Sequence, residues 1–146
     1  MHKNYKDMMD DLVRLSEILD VLDRIREASA DRVLLIEGLK DRAALNALKI
    51  YGDMFQIQSE GGPVKAAEYV MAHGGKAIVL TDWDRTGGTV ASEVVIQIKA
   101  LGGICNTDAR GDLAALCRKY IKDVEALDSL VMKLSGGSSD VLREGI

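Results

Sequence analysis

The chain has 146 residues, with 19 lysines and arginines against 23 aspartates and glutamates, and so a formal net charge of −4. This length suits one domain with a single core. The acidic balance excludes a protein that holds nucleic acid through general positive charge alone. Aromatic residues make up only 4% of the chain, so we expect an aliphatic, helix-rich core.

Targeting signals and cysteine chemistry are not indicated by the sequence. No apolar run reaches the ~20 residues needed to cross a bilayer, and the first residues lack the apolar centre of a signal peptide. Cys105 and Cys117, the two cysteines, are interpreted as reduced, buried small side chains rather than metal ligands. The sequence therefore predicts a soluble, cytoplasmic protein with no membrane partner.

The first predicted element is a long amphipathic helix from about Asn4 to Ala28. Its apolar residues recur at helical spacing, with charged residues between them: Met8, Leu12, Leu15, Leu19, Leu22 and Ile25. Residues 1–30 are expected to pack on a domain formed by residues 31–134, and a homodimer built on this helix is the alternative. Residues 135–146 are rich in glycine and serine and are predicted to be a flexible tail.

Strands and helices alternate through the rest of the chain. The predicted strands are Arg32–Glu37, Met54–Gln58, Lys76–Thr81 and Ile104–Thr107. Helices are predicted from Lys40 to Tyr51, from Pro63 to about His73 and from Thr89 to Leu101, with short helices near Asp112–Tyr120 and Val124–Leu134 and a loop over Asp82–Gly88. This alternation predicts an α/β fold with a four-stranded, mostly parallel sheet flanked by helices.

Two of the predicted strands end abruptly in acidic residues. Glu37 follows the apolar run Val33–Ile36, and Asp82 and Asp84 follow the second run in a D-x-D arrangement around Trp83. In open α/β sheets the carboxyl edge of the strands is where ligands bind. Three carboxylates at one edge suit a hard divalent cation. We therefore predict that Glu37, Asp82 and Asp84 bind Mg²⁺, with Mn²⁺ as a substitute.

Residues beside these acids are candidates for proton transfer and phosphate binding. Glu37 is either a general acid or base or a third metal ligand, and Gly38 would let a substrate approach the backbone. Arg85 either pairs with an aspartate or contacts a phosphate. Gly87 either leaves a helix N–H free for an anion or is an ordinary turn residue. Lys40 is either a flanking phosphate contact or a solvated surface side chain. Packing is favoured over base stacking for the tryptophan of the D-x-D segment.

A glutamate–glycine pair after one strand and D-x-D after another resemble the Toprim domain of topoisomerases, bacterial-type primases and several nucleases. The matching segments are Ile36–Asp41 and Leu80–Gly87, within a similarity that spans about Asp31 to Asn106. The chain length and the segment Thr81–Arg85 are most similar to those of small stand-alone, primase-like Toprim proteins common in archaea. Gly88 stands where topoisomerases carry a further acid, which argues against topoisomerase chemistry.

The resemblance implies a Toprim-like, Rossmann-like fold and a Mg²⁺-dependent activity on phosphodiesters of RNA or DNA. It also implies Glu37 as acid/base residue or metal ligand, with Asp82 and Asp84 as metal ligands. We therefore expect a phosphoryl-transfer enzyme that is nuclease-like or primase-related. One alternative is a non-catalytic module that binds nucleic acid or a nucleotide through Mg²⁺. Another is a purely structural dimer.

Overall fold

A computed structural model describes residues 4–136 of the chain. The helices are α1 (Tyr5–Ala28), α2 (Leu39–Ala47), α3 (Gly62–Ala72), α4 (Arg85–Ala100), α5 (Asp108–Cys117) and α6 (Leu127–Leu134), and a 3₁₀ turn covers Val124–Ala126. The strands are β1 (Val33–Ile36), β2 (Met54–Gln56), β3 (Lys76–Val79) and β4 (Ile104–Asn106). Most of the predicted tail, residues 137–146, lies outside the described residues.

The four strands form one sheet in the order β2-β1-β3-β4, and all three pairings are parallel. The central strand β1 is buried at all four of its positions, as expected for a parallel strand with helices on both faces. This confirms the predicted α/β class with a four-stranded sheet flanked by helices. Because β1 and β3 are neighbours, their carboxyl ends lie side by side.

Two apolar layers cover the two faces of the sheet. One layer packs Leu34, Ile36, Ile78 and Leu80 against apolar residues of α1, α2, α5 and α6. The other packs the alternate strand residues, such as Leu35 and Val79, against α3 and α4. This alternation follows from the period of two along a strand. The sandwich leaves the carboxyl edge of β1 and β3 as the natural place for polar groups.

The N-terminal helix α1 is only partly packed on the domain. Asn4 caps it, because its Oδ1 accepts a hydrogen bond of 2.8 Å from Asp7 N. Five residues are buried against the core, namely Leu15, Ile18, Val21, Leu22 and Ile25. The predicted apolar stripe is wrong at its start, because Met8 and Leu12 are 53% and 51% exposed. Within residues 4–136, no helix combines the length and apolar character needed to cross a membrane.

Helix α4 begins earlier than the sequence indicated. It starts at Arg85, so the predicted loop over Asp82–Gly88 is wrong in its second half. Paired glycines lower helix propensity, which argues for a loop when the sequence is read alone. Here Gly87 is buried and Asp84 caps the helix, and these two contacts outweigh the weak intrinsic preference.

Candidate functional site

The site lies at the carboxyl edge of β1 and β3, where Glu37 and Asp82 meet. The Glu37 side chain is only 5% exposed, and its Oε2 accepts a 2.7 Å hydrogen bond from Asp82 N. Its second oxygen, Oε1, lies 3.4 Å from Gln58 Nε2. The acid after β1 is thus tied to the backbone of the acid that follows β3.

A cavity of about 450 Å³ opens beside these two residues. Five of its lining residues are carboxylic acids and only one is a lysine. The lining residues are Glu37, Gly38, Leu39, Lys40, Asp41, Gln58, Asp82, Asp123 and Glu125. We call this cavity the acidic pocket. Its charge would repel a bare phosphate and attract a cation.

Asp82 is the acid that its surroundings affect most. Its Oδ1 accepts a 2.9 Å hydrogen bond from Val124 N. Burial, followed by the contact with the Glu37 carboxyl group, raises the pKa of Asp82 to about 8, although the Val124 N–H opposes this rise. With a pKa near 8, Asp82 keeps its proton at neutral pH, which avoids repulsion between the two carboxyl groups. A cation is the other way to relieve their repulsion.

Asp41 is a buried acid that sequence reasoning placed only in the first turn of a helix. Its Oδ2 accepts hydrogen bonds of 3.1 Å from both Glu37 N and Gly38 N. Burial raises the pKa of Asp41, and the two backbone N–H groups partly oppose this rise. Asp41 therefore fixes the turn that carries Glu37.

Asp123 is a second pocket acid that sequence reasoning missed. It precedes the 3₁₀ turn and reaches the acidic pocket from a segment far along the chain. Its Oδ1 is buried and has no hydrogen-bond partner. Asp123 follows no strand and belongs to no motif, so no signal in the sequence points to it.

The segment before Asp123 is attached to the D-x-D loop through Trp83. Trp83 N donates to Lys122 O at 3.0 Å, and Trp83 Nε1 donates to Ile121 O at 2.8 Å. The ring packs against the core layer that contains α1, so the prediction that this tryptophan packs is confirmed. These contacts place Asp123 beside the strand ends.

Asp84 lies at the N-terminus of α4. It is exposed, does not line the acidic pocket, and accepts a 2.7 Å hydrogen bond from Gly87 N as the cap of α4. Within residues 4–136, no three acidic, histidine or cysteine side chains are arranged to hold one metal ion. The predicted three-acid set is therefore not preformed, because one Asp84 oxygen is used by the helix.

Replacing Asp84 by alanine is expected to destabilise the protein by about 1 kcal/mol, the usual cost of losing an N-cap. Asp84→Asn keeps a capping oxygen and should unfold close to wild type. Urea denaturation of both variants measures the difference. Equal stability of the alanine and asparagine variants would contradict the capping role.

The structure shows the contacts of the glycines and basic residues that were candidates for phosphate binding. Gly38 N and Gly87 N both donate to carboxylates of the chain, so neither N–H is available to an anion. A Cβ on Gly38 would lie 3.8 Å from Gln58 Oε1, an ordinary contact. Lys40 is exposed and lines the acidic pocket. Arg85 is also exposed, and no salt bridge within residues 4–136 joins it to an aspartate.

Arg110 is a further residue that the sequence did not single out. Its guanidinium donates to Thr81 O at 3.0 Å and to Asp82 O at 2.6 Å. These bonds satisfy the carbonyl groups that follow β3, where the sheet hydrogen bonds have ended. Arg110 therefore holds the backbone of the site and is not free to bind a ligand.

The acidic pocket fits a hard divalent cation in its chemistry. Its available donors are carboxylate oxygens, which Mg²⁺ and Mn²⁺ prefer. The Oδ1 atom of Asp123 is buried without a hydrogen bond, which is costly for a carboxylate unless a cation or a proton is nearby. Glu37 and Asp82 are held by backbone N–H groups on one oxygen each. The second oxygen of Glu37 lies 3.4 Å from Gln58 Nε2, a contact long enough to be exchanged for a ligand.

Fold and pocket together define an α/β protein with a parallel sheet and a carboxylate-lined pocket at its carboxyl edge. The chain is 30% identical over 122 residues to a UPF0292 protein of Methanosarcina barkeri, with 83% of this chain and 85% of that protein covered. A UPF0292 protein of Methanosarcina acetivorans is 31% identical over 123 residues, with 84% and 83% covered. The chain therefore belongs to the UPF0292 family.

A solved structure of a protein from Aquifex aeolicus supports the fold. It has a TM-score of 0.62 and 20% sequence identity, and the match covers 73% of this chain and 94% of that one. No family model matches the chain. The predicted membership of the Toprim family is therefore wrong, because the relatives are UPF0292 proteins and no Toprim model matches.

Proposed function

We propose that this protein binds Mg²⁺ in the acidic pocket and catalyses phosphoryl transfer at a phosphodiester of RNA or DNA, in the manner of a nuclease. The observation that carries the proposal is the contact between Glu37 and Asp82 in the pocket, where burial, followed by this contact, raises the pKa of Asp82 to about 8. Perturbed carboxyl groups in a pocket at a sheet edge are typical of functional sites.

The energetic argument concerns the repulsion between the two carboxylates. Two unit charges about 4 Å apart repel by about 4 kcal/mol at an effective dielectric of about 20. Glu37 and Asp82 would hold a divalent cation, whose charge would offset this repulsion and favour the ionised form of both groups. Mg²⁺ needs only one or two protein carboxylates and takes its other oxygens from water and phosphate. Asp84 does not line the acidic pocket, so it is not required as a ligand of this ion.

The roles of the protein side chains follow from their positions. A bound Mg²⁺ supplies charge neutralisation at the phosphate and lowers the pKa of a coordinated water. Glu37, fixed by the Asp82 N–H, would accept or return the proton of the attacking group. Lys40 lines the pocket and Arg85 is exposed beside the D-x-D loop, so both would contact flanking phosphates.

The proposed substrate suits a protein of negative net charge. A nucleic-acid backbone approaches an acidic pocket only when cations shield the carboxylates, so binding is expected to require Mg²⁺ rather than low salt alone.

Cys105 and Cys117 are both free thiols, which accords with the reducing cytoplasm that we propose as the site of action.

Single-turnover assays with end-labelled RNA and DNA oligonucleotides test the proposal. Wild-type protein with Mg²⁺ is expected to cleave at least one of them, and Glu37→Gln should lower the rate at least about 100-fold because the proton acceptor is lost. Glu93→Gln, an exposed change on α4 outside the pocket, should keep the wild-type rate.

The other outcomes separate the alternatives. Mg²⁺-dependent retention of an oligonucleotide without products would favour the non-catalytic binding module. Absence of both retention and cleavage would contradict the proposal. An unchanged rate in Glu37→Gln would contradict the acid/base role alone.

A further inference from the structure

The first half of α1 carries apolar side chains that the domain does not cover. Residues 4–10 are exposed at every position, and the part of the helix that is buried against the core begins at Leu15. Large apolar side chains nevertheless recur before that point and are exposed, namely Tyr5, Met8, Met9, Leu12 and Val13. Contiguous exposed apolar patches of this kind mark surfaces that bind a partner.

These five side chains share one face of the helix, which we call the α1 face. At 3.6 residues per turn they span about 140° of the helix surface, from Met8 at one edge to Val13 at the other. A cleft of about 470 Å³ adjoins this face, and its apolar lining includes Met8, Leu12 and Leu134 of α6. An isolated helix of this length is only marginally stable in water, so a partner that covers the face would stabilise it.

The charges beside the α1 face make it complementary to itself. Lys6 and Asp10 flank the face on the same side, about one turn apart. Both are exposed, and no salt bridge in the described part of the chain, residues 4–136, involves either of them. When two copies of a helix pack antiparallel about a two-fold axis, matching flanks face each other. Lys6 of each copy then lies beside Asp10 of the other copy.

We propose that the α1 face is the interface of a homodimer in which the two α1 helices cross antiparallel near Met8 and Met9. This crossing point places Tyr5 of one copy at the level of Leu12 of the other, so the apolar side chains cover one another. Every contact occurs twice because the two-fold axis relates the copies. The α1 face shares no residue with the acidic pocket, so the dimer does not depend on the proposed function.

The expected dimer is weak, because the contact is small. The α1 face extends over about two and a half turns of helix, about 14 Å along its axis. Such a contact is smaller than a standard interface, which buries about 800 Å² of each partner. We therefore expect a dissociation constant in the micromolar range, about 10 µM.

Sedimentation equilibrium of the full-length protein measures this association from about 1 to about 200 µM, a range that brackets the expected constant. Wild type should pass from monomer to dimer. Leu12→Asp should weaken the dimer at least about 30-fold, as expected for a central interface side chain. Ile96→Asp adds the same charge at an exposed apolar position of α4 and should change the dissociation constant by no more than about twofold.

Two charge reversals test the two-fold arrangement. Lys6→Glu and Asp10→Lys each place like charges beside one another in both pairs, so each variant alone should dimerise at least about 10-fold more weakly than wild type. An equimolar mixture of the two variants restores opposite charges in both pairs and should form heterodimers, which native mass spectrometry detects. Contacts within a single chain do not predict this rescue.

The opposite results would overturn the proposal. Wild type that remains monomeric at about 200 µM, well above the expected constant, would leave the α1 face to a different protein or to another segment of the chain. A dimer that Leu12→Asp does not weaken would form through another surface. Charge variants that dimerise as wild type does, or a mixture without heterodimers, would contradict the antiparallel pairing. Since Lys6, Asp10 and Leu12 are exposed, each variant should keep the circular dichroism spectrum of wild type.

Discussion

Replacing Gly87 by alanine is expected to destabilise the protein by about 3 kcal/mol or more, the upper range for overpacking in a folded protein. A Cβ built on Gly87 would lie 1.8 Å from Asp82 O and 2.5 Å from Asp82 C. Both are backbone atoms of the segment that follows β3, so no side chain can rotate away. Either α4 or the Asp82 backbone must move, and the acidic pocket would be distorted in both cases.

The neighbouring residue Gly88 provides the control. Its Cβ would lie 3.8 Å from the flexible end of Arg110, an ordinary contact inside the same helix. Gly88→Ala should therefore gain about 0.5–1 kcal/mol from improved helix propensity. Urea denaturation of the two variants, with circular dichroism as the readout, measures the difference. Similar stabilities of the two variants would contradict the close packing at Gly87.

Replacing Asp82 by asparagine is expected to change the pH dependence of stability and abolish the response to Mg²⁺. The pKa of Asp82 is raised to about 8 in the folded protein from an ordinary value of 3.8. The folded state therefore binds more protons than the unfolded state between these values, and wild-type stability falls as the pH rises from about 4 to about 8. Asp82→Asn keeps an oxygen for Val124 N without this titration.

At pH 9 the variant should be more stable than metal-free wild type by about 2 kcal/mol. The whole rise in the Asp82 pKa would correspond to a larger difference in the free energy of unfolding, at about 1.4 kcal/mol for each pKa unit. Solvent access at the half-buried Asp82 reduces this value. In the variant, the free energy of unfolding should still fall with rising pH, but less steeply, because burial also raises the pKa of Asp41.

Thermal unfolding from pH 4 to pH 9, with and without Mg²⁺, measures both effects. Mg²⁺ at 100 times its dissociation constant should stabilise wild type by about 2.7 kcal/mol and leave Asp82→Asn unaffected. Asp84→Asn, which keeps the cap, shows separately whether Asp84 is a ligand. A variant as pH-sensitive as wild type would refute the assigned titration of Asp82.

The sequence was sufficient to predict the fold and two of the pocket acids for a simple reason. Buried parallel strands are short apolar runs, and their ends are marked by the first polar residue. Glu37 and Asp82 are such residues, and the pairing of β1 with β3 brings them together. The motif resemblance built on the same residues did not identify the family.

Other features depend on tertiary contacts that leave little trace in the sequence. Gly87 resembles a helix breaker until the close approach of the Asp82 carbonyl is seen, and Asp84 can be read as either a cap or a ligand. Met8 and Leu12 have the helical spacing of the apolar residues of α1. They are nevertheless exposed, because the part of α1 that packs on the core begins at Leu15. Asp123 reaches the pocket only because Trp83 bonds the preceding backbone.

The attachment of the Asp123 segment to the D-x-D loop has a consequence for synthesis on the ribosome. The pocket draws on residues 37, 82 and 123, and Val124, which donates to Asp82, lies 42 positions further along the chain than Asp82. A nascent chain that has released only the sheet would expose paired, unshielded carboxylates. Full affinity for the cation should therefore appear late in synthesis. Metal binding by ribosome-bound chains of increasing length would show when the segment that carries Asp123 and Val124 has packed against the sheet.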